Sequence, residues 1–206
     1  MHFAELDAVT LDAYGTLVEL ADPAPQLDRG LRERGSRHDP ETIARAFAAE
    51  VAYYRKHAHE GRDTGSLAAL RLECVKVFLE ALPAELDPQE FVETFIGSIR
   101  FEPLPGTLAS LRALRSRGLA LAVVSNWDIG LGEQLAKAGL GELPAVSSAE
   151  AGAPKPDPAV FLLAAERLGV RPDRALHVGD SDVDEQGALA AGFRFAPAPL
   201  ASVVST

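Results

Sequence analysis

Cysteine, positive charge and long apolar runs are all scarce in this sequence. The 206 residues include a single cysteine, Cys74, so no disulfide can form within the chain. The formal net charge is −10, which disfavours binding to nucleic acids and to anionic membranes. No apolar stretch is long enough to span a bilayer, and residues 1–5 lack the basic start of a secretory signal. These absences favour a soluble cytoplasmic protein.

The residues that are present are sufficient for a folded core, and their pattern along the chain is uneven. Hydrophobic residues make up 47% of the sequence, and Cys74 lies among apolar neighbours as a core thiol would. A short β-prone run at 8–11 ends at Asp12, and the region from about 17 to 102 then shows only helical periodicity. From Pro105 onward, apolar runs alternate with helical segments, which is typical of a parallel sheet.

This organisation predicts an α/β fold interrupted by a helical insertion. We expect a doubly wound parallel sheet built from residues 1–17 and 101–206, and an all-α inserted domain over 18–100. In open parallel sheets, ligands bind beyond the carboxyl ends of the strands. The polar residues that follow the predicted strands are Asp12, Thr16, Ser125, Asn126, Lys155, Asp180, Asp182 and Asp184.

Four segments at these strand ends resemble the four motifs of the haloacid dehalogenase superfamily, in the family's order. They are residues 11–17 (LDAYGTL), 124–126 (VSN), 155–158 (KPDP) and 177–184 (HVGDSDVD). The resemblance implies a Rossmann-like core, and the predicted helical insertion lies where these enzymes carry a helical cap. Each motif is weak by itself, but four in order after predicted strands form a strong signal.

The resemblance also assigns chemistry to individual side chains. Asp12 would attack the substrate and form a covalent aspartyl ester, as carboxylate nucleophiles do. Lys155 would neutralise Asp12 and the incoming anion. Ser125 and backbone amides near Asn126 would hold phosphoryl oxygens, and Thr16 would order the first motif and bind the same anion.

A magnesium ion is the cofactor that the resemblance implies. Asp12, Asp180 and the Tyr14 carbonyl would be its ligands, and Asp184 would bind it directly or through water. Hard oxygen ligands together with a substrate phosphate suit Mg²⁺. The implied reaction is hydrolysis of a small phosphorylated metabolite.

Tyr14 is the main departure from the phosphatase pattern. Phosphatases of this superfamily usually carry an aspartate there, which protonates the leaving oxygen, and a phenol of pKa about 10 is a poor substitute. The dehalogenase branch has tyrosine at this place, so a 2-haloacid dehalogenase is the alternative. That branch has serine and asparagine where this chain has Asp180 and Ser181, and Asp180 restores the metal-binding pattern. A non-catalytic interaction module is a third reading, which the complete motif set disfavours.

The inserted helices supply candidates for substrate specificity. His57 and His59 are two residues apart and do not face the same way on a helix, so they are not read as a metal pair. Trp127 could belong to the core or to a wall of the site. The specificity candidates are Tyr53, Tyr54, Arg55 and Arg62.

Two further expectations concern the segment around Lys155. Asp157 precedes Pro158 and is read as a helix cap rather than a catalytic group. Lys155 precedes Pro156, and X-Pro bonds are the ones that tolerate cis geometry. We predict a cis Lys155–Pro156 bond.

Overall fold

A computed structural model of the chain describes residues 3–83 and 85–204. Its strands are β1 (Ala8–Leu11), β2 (Val18–Leu20), β3 (Phe101–Pro103), β4 (Ala120–Ser125), β5 (Ala145–Ser147), β6 (Ala175–Gly179) and β7 (Arg194–Pro197). Its α-helices are α1 (Ala24–Glu33), α2 (Pro40–His57), α3 (Thr64–Glu80), α4 (Pro88–Ser98), α5 (Thr107–Ser116), α6 (Leu131–Lys137), α7 (Ser148–Ala151), α8 (Ala159–Leu168), α9 (Asp182–Ala190) and α10 (Leu200–Val204). None of these helices combines the length and apolarity that crossing a membrane requires.

Five strands form one parallel sheet in the order β5-β4-β1-β6-β7. The central strand β1 is buried along its whole length, and Leu11 at its end pairs with Val123 on one side and Val178 on the other. Fully buried apolar strands are what a parallel sheet covered on both faces requires. Because all five strands run the same way, their carboxyl ends share one rim, which brings together the segments that follow them.

Helices cover both faces of this sheet, which confirms the predicted doubly wound fold. One apolar layer includes Leu114 of α5 and Leu131 of α6, packed against the inner residues of β1 and β4. The other layer includes Val160 and Phe161 of α8 together with Ala188 of α9. Two separate apolar layers therefore stabilise the sheet. The loops that follow the strands are not needed for this packing and can carry polar groups.

Helices α1 to α4 form a separate apolar cluster between β2 and β3, and we call residues 24–98 the helical insert. Phe78 is fully buried there, with its ring 5.1 Å from that of Phe95 and stacked at 6.1 Å on that of Phe91. The start of α2 is fixed by Asp39, whose side chain accepts a hydrogen bond from the Thr42 N–H at 2.9 Å. The helical periodicity that predicted these helices thus reflects a real buried face.

The prediction that residues 17–102 are purely helical is wrong at both ends. Strands β2 and β3 pair antiparallel, with Val18 opposite Pro103 and Leu20 opposite Phe101. Three-residue strands are too short to show an alternating pattern, and their pairing joins residues about eighty positions apart. The resulting ribbon carries the chain into and out of the helical insert. The domain boundaries at 17/18 and 100/101 stay a prediction.

Candidate active site

Asp12 lies directly beyond β1, at the centre of the sheet's carboxyl rim, and is only 6% exposed. Its backbone N–H donates to the Val178 carbonyl at 2.9 Å, so the carboxylate is held on the extension of the β1–β6 pairing. The chain then turns at Gly15, whose φ is 81°. A Cβ at this position would lie 2.0 Å from Asp180 Oδ2, so glycine is needed for the turn and for the close approach to Asp180.

Lys155 is the charged centre of the rim. Its Nζ donates to Asp12 Oδ1 at 2.6 Å, to Asp184 Oδ1 at 2.5 Å and to the Val124 carbonyl at 3.2 Å. Burial alone would lower the pKa of Lys155, but the adjacent carboxylates of Asp12 and Asp184 outweigh it and raise that pKa. The ammonium is therefore protonated, fully engaged and fixed beside Asp12.

Ser125, the last residue of β4, holds Asp12 from the other neighbouring strand. Its hydroxyl donates to Asp12 Oδ1 at 2.9 Å, the same oxygen that Lys155 contacts. Both hydrogen bonds on the Asp12 carboxylate from the described residues therefore go to Oδ1. Oδ2 keeps its lone pairs for another partner, which is the arrangement that a carboxylate nucleophile needs.

Asn126 orders the loop that delivers Lys155. Its side-chain Oδ1 accepts from the Lys155 N–H at 2.7 Å, and its Nδ2 donates to the Lys155 carbonyl at 3.2 Å. The Lys155–Pro156 bond is cis, which confirms the prediction. Asp157 accepts from the Ala159 N–H at 2.9 Å, as expected of a helix cap. The side-chain amide of Asn126 is therefore already engaged with the Lys155 backbone. Direct substrate binding near Asn126 stays a prediction.

Asp184 is completely buried and is bonded on both oxygens. Oδ1 accepts from Lys155 and from His177 Nε2 at 3.2 Å, and Oδ2 accepts from the Ser181 N–H at 3.2 Å and from the Ser181 hydroxyl. Burial alone would raise the pKa of Asp184, but hydrogen bonding from His177 and the charge of Lys155 lower it. Asp184 is thus ionised at neutral pH and positions Lys155.

His177, for which no role was predicted, lies behind the site. It is fully buried in β6, and burial lowers its pKa, so the ring is neutral. A neutral ring can donate from Nε2 to Asp184 and accept at Nδ1 from Thr10 Oγ1, which lies 2.9 Å away. The available signal was a titratable residue inside an otherwise apolar parallel strand.

Three carboxylates, those of Asp12, Asp180 and Asp184, converge at the rim. One oxygen from each lies within 4.8 Å of the others. Burial, followed by the charges of Asp12 and Asp184, raises the pKa of Asp180. Lys155 is the one cation in ion-pair contact with this group among the described residues. Hard oxygen donors with an excess of negative charge fit a divalent cation such as Mg²⁺.

Thr16 carries a polar atom without a partner. The residue is 2% exposed, and its Oγ1 has no hydrogen bond within the part of the chain that the structure describes. Buried polar atoms are rarely left unpaired, because the loss of hydration costs about 1–3 kcal/mol. This hydroxyl is therefore available to a ligand oxygen, as the predicted role in anion binding requires.

A cavity of about 470 Å³ lies between the rim and the helical insert. Tyr14, Ser125 and Asn126 line it from the core, and residues of α2, α3 and α4 line it from the insert. Tyr14 is 42% exposed, and its ring centroid lies 5.8 Å from the Arg55 guanidinium carbon. Trp127 belongs both to the core and to the cavity wall, with its ring 5.0 Å from that of Phe101.

The four predicted specificity candidates divide into two pairs. Tyr54 and Arg55 line the cavity. Tyr53 instead stacks on His57 at 4.3 Å, and Arg62 donates to the His59 carbonyl at 3.2 Å. Residues 53 and 54 point to different sides of α2 because successive helical residues are about 100° apart. Neither His57 nor His59 belongs to a cluster of metal-ligand type among the described residues.

Asp128 is a second residue that sequence analysis missed. It is 6% exposed, accepts from the Tyr54 hydroxyl at 2.9 Å and from the Gly130 N–H at 2.6 Å, and so ties the insert to the core. The Ile129 N–H also donates to the Gly61 carbonyl at 3.0 Å. These contacts join segments that are far apart in the sequence, so no local sequence pattern predicts them.

Comparisons with known proteins agree with this architecture. A profile of haloacid dehalogenase-like hydrolases matches residues 6–192. The mouse haloacid dehalogenase-like hydrolase domain-containing protein 3 is 32% identical over 206 residues, covering 93% of this chain and 81% of that protein. Phosphoserine phosphatase from Thermus thermophilus is 40% identical over 128 residues, covering 58% of this chain and 51% of that protein.

A solved structure gives the same result for the fold. L-2-haloacid dehalogenase from Xanthobacter autotrophicus, with chloropropionic acid covalently bound, superposes with a TM-score of 0.68 at 30% identity. The match covers 93% of this chain and 77% of that chain. Phosphatases and dehalogenases both occur among the relatives, and the chain belongs to the haloacid dehalogenase-like hydrolase family.

Proposed function

We propose that this hydrolase is a Mg²⁺-dependent phosphoester hydrolase that uses Asp12 as its nucleophile on a small phosphorylated metabolite. The convergence of Asp12, Asp180 and Asp184 on one point carries the proposal. Among the described residues Lys155 alone forms ion pairs with these three carboxylates, so the rim repels an anionic substrate until a cation joins it. A phosphate monoester with bound Mg²⁺ satisfies that requirement.

The residues at the rim divide between metal binding and substrate binding. Asp12, Asp180 and the Tyr14 carbonyl would hold Mg²⁺, with Asp184 binding it directly or through water. When bound, the ion supplies positive charge that offsets the carboxylates and the charge on the phosphoryl oxygens. Ser125, Lys155, the free Thr16 hydroxyl and backbone amides near Asn126 would hold the phosphoryl group.

The reaction begins at the free oxygen of Asp12. Oδ2 attacks phosphorus while the bond from phosphorus to the leaving oxygen breaks, giving an aspartyl phosphate and an alkoxide or aryloxide that takes up a proton from solvent. Water then attacks phosphorus and gives up a proton to solvent, the bond to Asp12 breaks, and inorganic phosphate leaves. In the free protein Lys155 and Ser125 orient the carboxylate for this attack, because both contact Oδ1 rather than the attacking oxygen.

The helical insert acts in this proposal as a cap. It covers the cavity above Ser125 and Tyr14, and contacts such as Tyr54 to Asp128 hold it against the core. A closed cap excludes bulk water from the reacting groups while the aspartyl phosphate forms.

A 2-haloacid dehalogenase is the second candidate, and Tyr14 is the observation that favours it. A halide leaves without a proton, so that reaction does not need an acid where phosphatases of this family carry aspartate. The likeness to the Xanthobacter autotrophicus enzyme also supports this reading. Against it stands Asp180, whose charge beside Asp12 opposes the binding of a haloacid anion when no cation is present.

The two candidates are separated by supplying both substrate classes to the same preparation with Mg²⁺. We expect phosphate release from 4-nitrophenyl phosphate and no halide release from either enantiomer of 2-chloropropionate. Halide release without phosphate release would reject the phosphatase proposal in favour of the dehalogenase. No release from either class would reject both.

A further inference from the structure

Glu50 presents a carboxyl group to the cavity that the catalytic proposal does not use. It lies on α2, is only 6% exposed and lines the space that Ser125 and Tyr14 line from the opposite side. Among the described residues it forms no ion pair, and the neighbouring group that acts on its carboxyl is the weakly polar thiol of Cys74. Buried carboxylates normally have a cationic or strong hydrogen-bonding partner, since an isolated buried charge is costly.

The charged groups around Glu50 do not supply that partner. Two guanidinium groups line the same cavity, but Arg55 lies over the Tyr14 ring, and Arg71 acts electrostatically on Asp128. Asp128 itself is bonded to Tyr54 and Gly130. Burial raises the pKa of Glu50 to about 7, which is the consequence expected for a carboxyl group without compensation.

The rest of the cavity wall favours an organic cation over a neutral donor. Five aromatic rings line it, and faces of such rings attract ammonium groups. They belong to Phe47, Tyr54, Phe95, Phe101 and Trp127, in addition to the Tyr14 ring at the rim. An aromatic wall with one uncompensated carboxyl is complementary to an apolar group that ends in a protonated amine.

We propose that Glu50 is a specificity-determining residue that pairs with an ammonium group on the leaving portion of the substrate, so that the preferred substrates are amine-bearing phosphate esters. This inference rests on the proposed phosphoester hydrolysis. The phosphoryl group would sit at the rim, the apolar body would fill the cavity of about 470 Å³, and the amine would meet Glu50 on the insert. Substrate binding would also hold the insert against the core, since Glu50 and the rim belong to different parts of the chain.

Matched pairs of esters test the proposal. The 4-(aminoalkyl)phenyl phosphates with one to three methylenes are compared with their 4-alkyl isosteres, in which carbon replaces nitrogen. We expect kcat/KM for the best amine to exceed that of its isostere by roughly 10–100-fold, mainly through KM, as for hydrogen bonds to charged groups. In Glu50→Gln the ratio between the two esters should fall to within about threefold. Glu41→Gln, an exposed change on the same helix, should retain the wild-type ratio.

Two results would overturn the inference while leaving the proposed function intact. One is equal kcat/KM for every amine and its isostere in the wild type. The other is an amine preference that persists in Glu50→Gln. If no ester is hydrolysed at all, the proposed function fails, and calorimetry then decides the inference alone. Tighter binding of 4-(2-aminoethyl)phenol than of 4-propylphenol, lost in Glu50→Gln, supports the inference, and equal binding rejects it.

Discussion

The rim of the sheet and the cavity under the helical insert differ in how completely their buried charges are paired. At the rim, Lys155 contacts both Asp12 and Asp184, and Ser125 and His177 complete the network. In the cavity, Glu50 forms no ion pair with the described residues, and the thiol of Cys74 is the group that acts on its carboxyl. Asp12, Lys155, Asp184 and Glu50 are all buried, so the contrast between these charges does not come from solvent access.

This difference separates the groups that carry out the reaction from the groups that select the substrate. A paired network is preorganised, because each charged group is held by its partners before substrate binds. Removing any member is costly, since the others are left buried and uncompensated. An uncompensated group is a cost to the free protein that a suitable ligand relieves on binding. The rim is therefore suited to fixed chemistry, and the cavity is suited to choosing which molecule receives it.

The largest effect should come from removing the charge of Asp12. Asp12→Asn keeps the shape of the side chain but eliminates the nucleophilic carboxylate, and turnover of 4-nitrophenyl phosphate should fall by about 10⁴-fold or more. Steady-state rates at saturating Mg²⁺ measure the loss. Asp39→Asn, at the exposed cap of α2, is the matched control and should behave as wild type. Retention of more than a few per cent of the activity by Asp12→Asn would exclude covalent catalysis at this residue.

Tyr14 is the place where rim and cavity meet, and replacing it tests the missing acid. A positioned acid contributes about 10²–10⁴-fold when the leaving group is poor. Wild type should therefore hydrolyse aryl phosphates much faster than alkyl phosphates, and Tyr14→Asp should improve alkyl esters more than aryl esters. Tyr14→Phe is the control that removes the hydroxyl without adding an acid. Equal wild-type rates on both ester classes, with no selective gain in Tyr14→Asp, would show that another group supplies the proton.

Replacing Asp180 should abolish the effect of Mg²⁺ on thermal stability as well as on activity. At 100 times its Kd, Mg²⁺ should raise the Tm of wild type by roughly 5–10 °C. Asp180→Ala should lose this shift together with the activity, whereas the exposed Asp182→Ala should keep it. Because the pKa of Asp180 is raised, its ionised form is disfavoured in the folded protein. With chelator present, Asp180→Ala should be at least as stable as wild type, and a lower Tm would contradict the repulsion described here.

The smallest expected effect is a pH-dependent change in stability when Glu50, in the cavity, is replaced. The pKa of Glu50 rises from 4.5 to about 7 on folding, so the folded protein binds the extra proton between these values. The contribution of Glu50 to the free energy of unfolding is fully present below pH 4.5, and it is lost as the pH rises through about 7. Glu50→Gln should therefore gain stability over wild type, on the order of 2–3 kcal/mol at pH 8 and much less at pH 5. Urea unfolding at both pH values measures the gain, and a difference that does not vary with pH would refute it.

The sheet and the rim were open to prediction because their signals are local. Buried parallel strands appear as apolar runs, and the residue after each run is a rim residue, as with Asp12 after β1 and Lys155 after β5 and α7. The family resemblance rested on these same segments, and the profile match confirms it. The predicted strand at 8–11 coincides with β1.

The ribbon and the cavity were not predictable in the same way. Strands β2 and β3 depend on pairing between the two ends of the insert, and Tyr54 meets Asp128 across 74 positions of sequence. Glu50 looks like any glutamate on an amphipathic helix, and only the packing of α2 against α3 shows that it faces inward. Groups whose environment is set by distant segments are visible only in the folded chain.

We have proposed that the rim carboxylates catalyse phosphoester hydrolysis with a divalent cation. The decisive measurement is the rate of 4-nitrophenyl phosphate hydrolysis by one preparation with Mg²⁺, with excess chelator, and with Mg²⁺ restored. We expect activity to disappear in chelator and to return when Mg²⁺ is added back. Full activity in excess chelator would contradict this proposal.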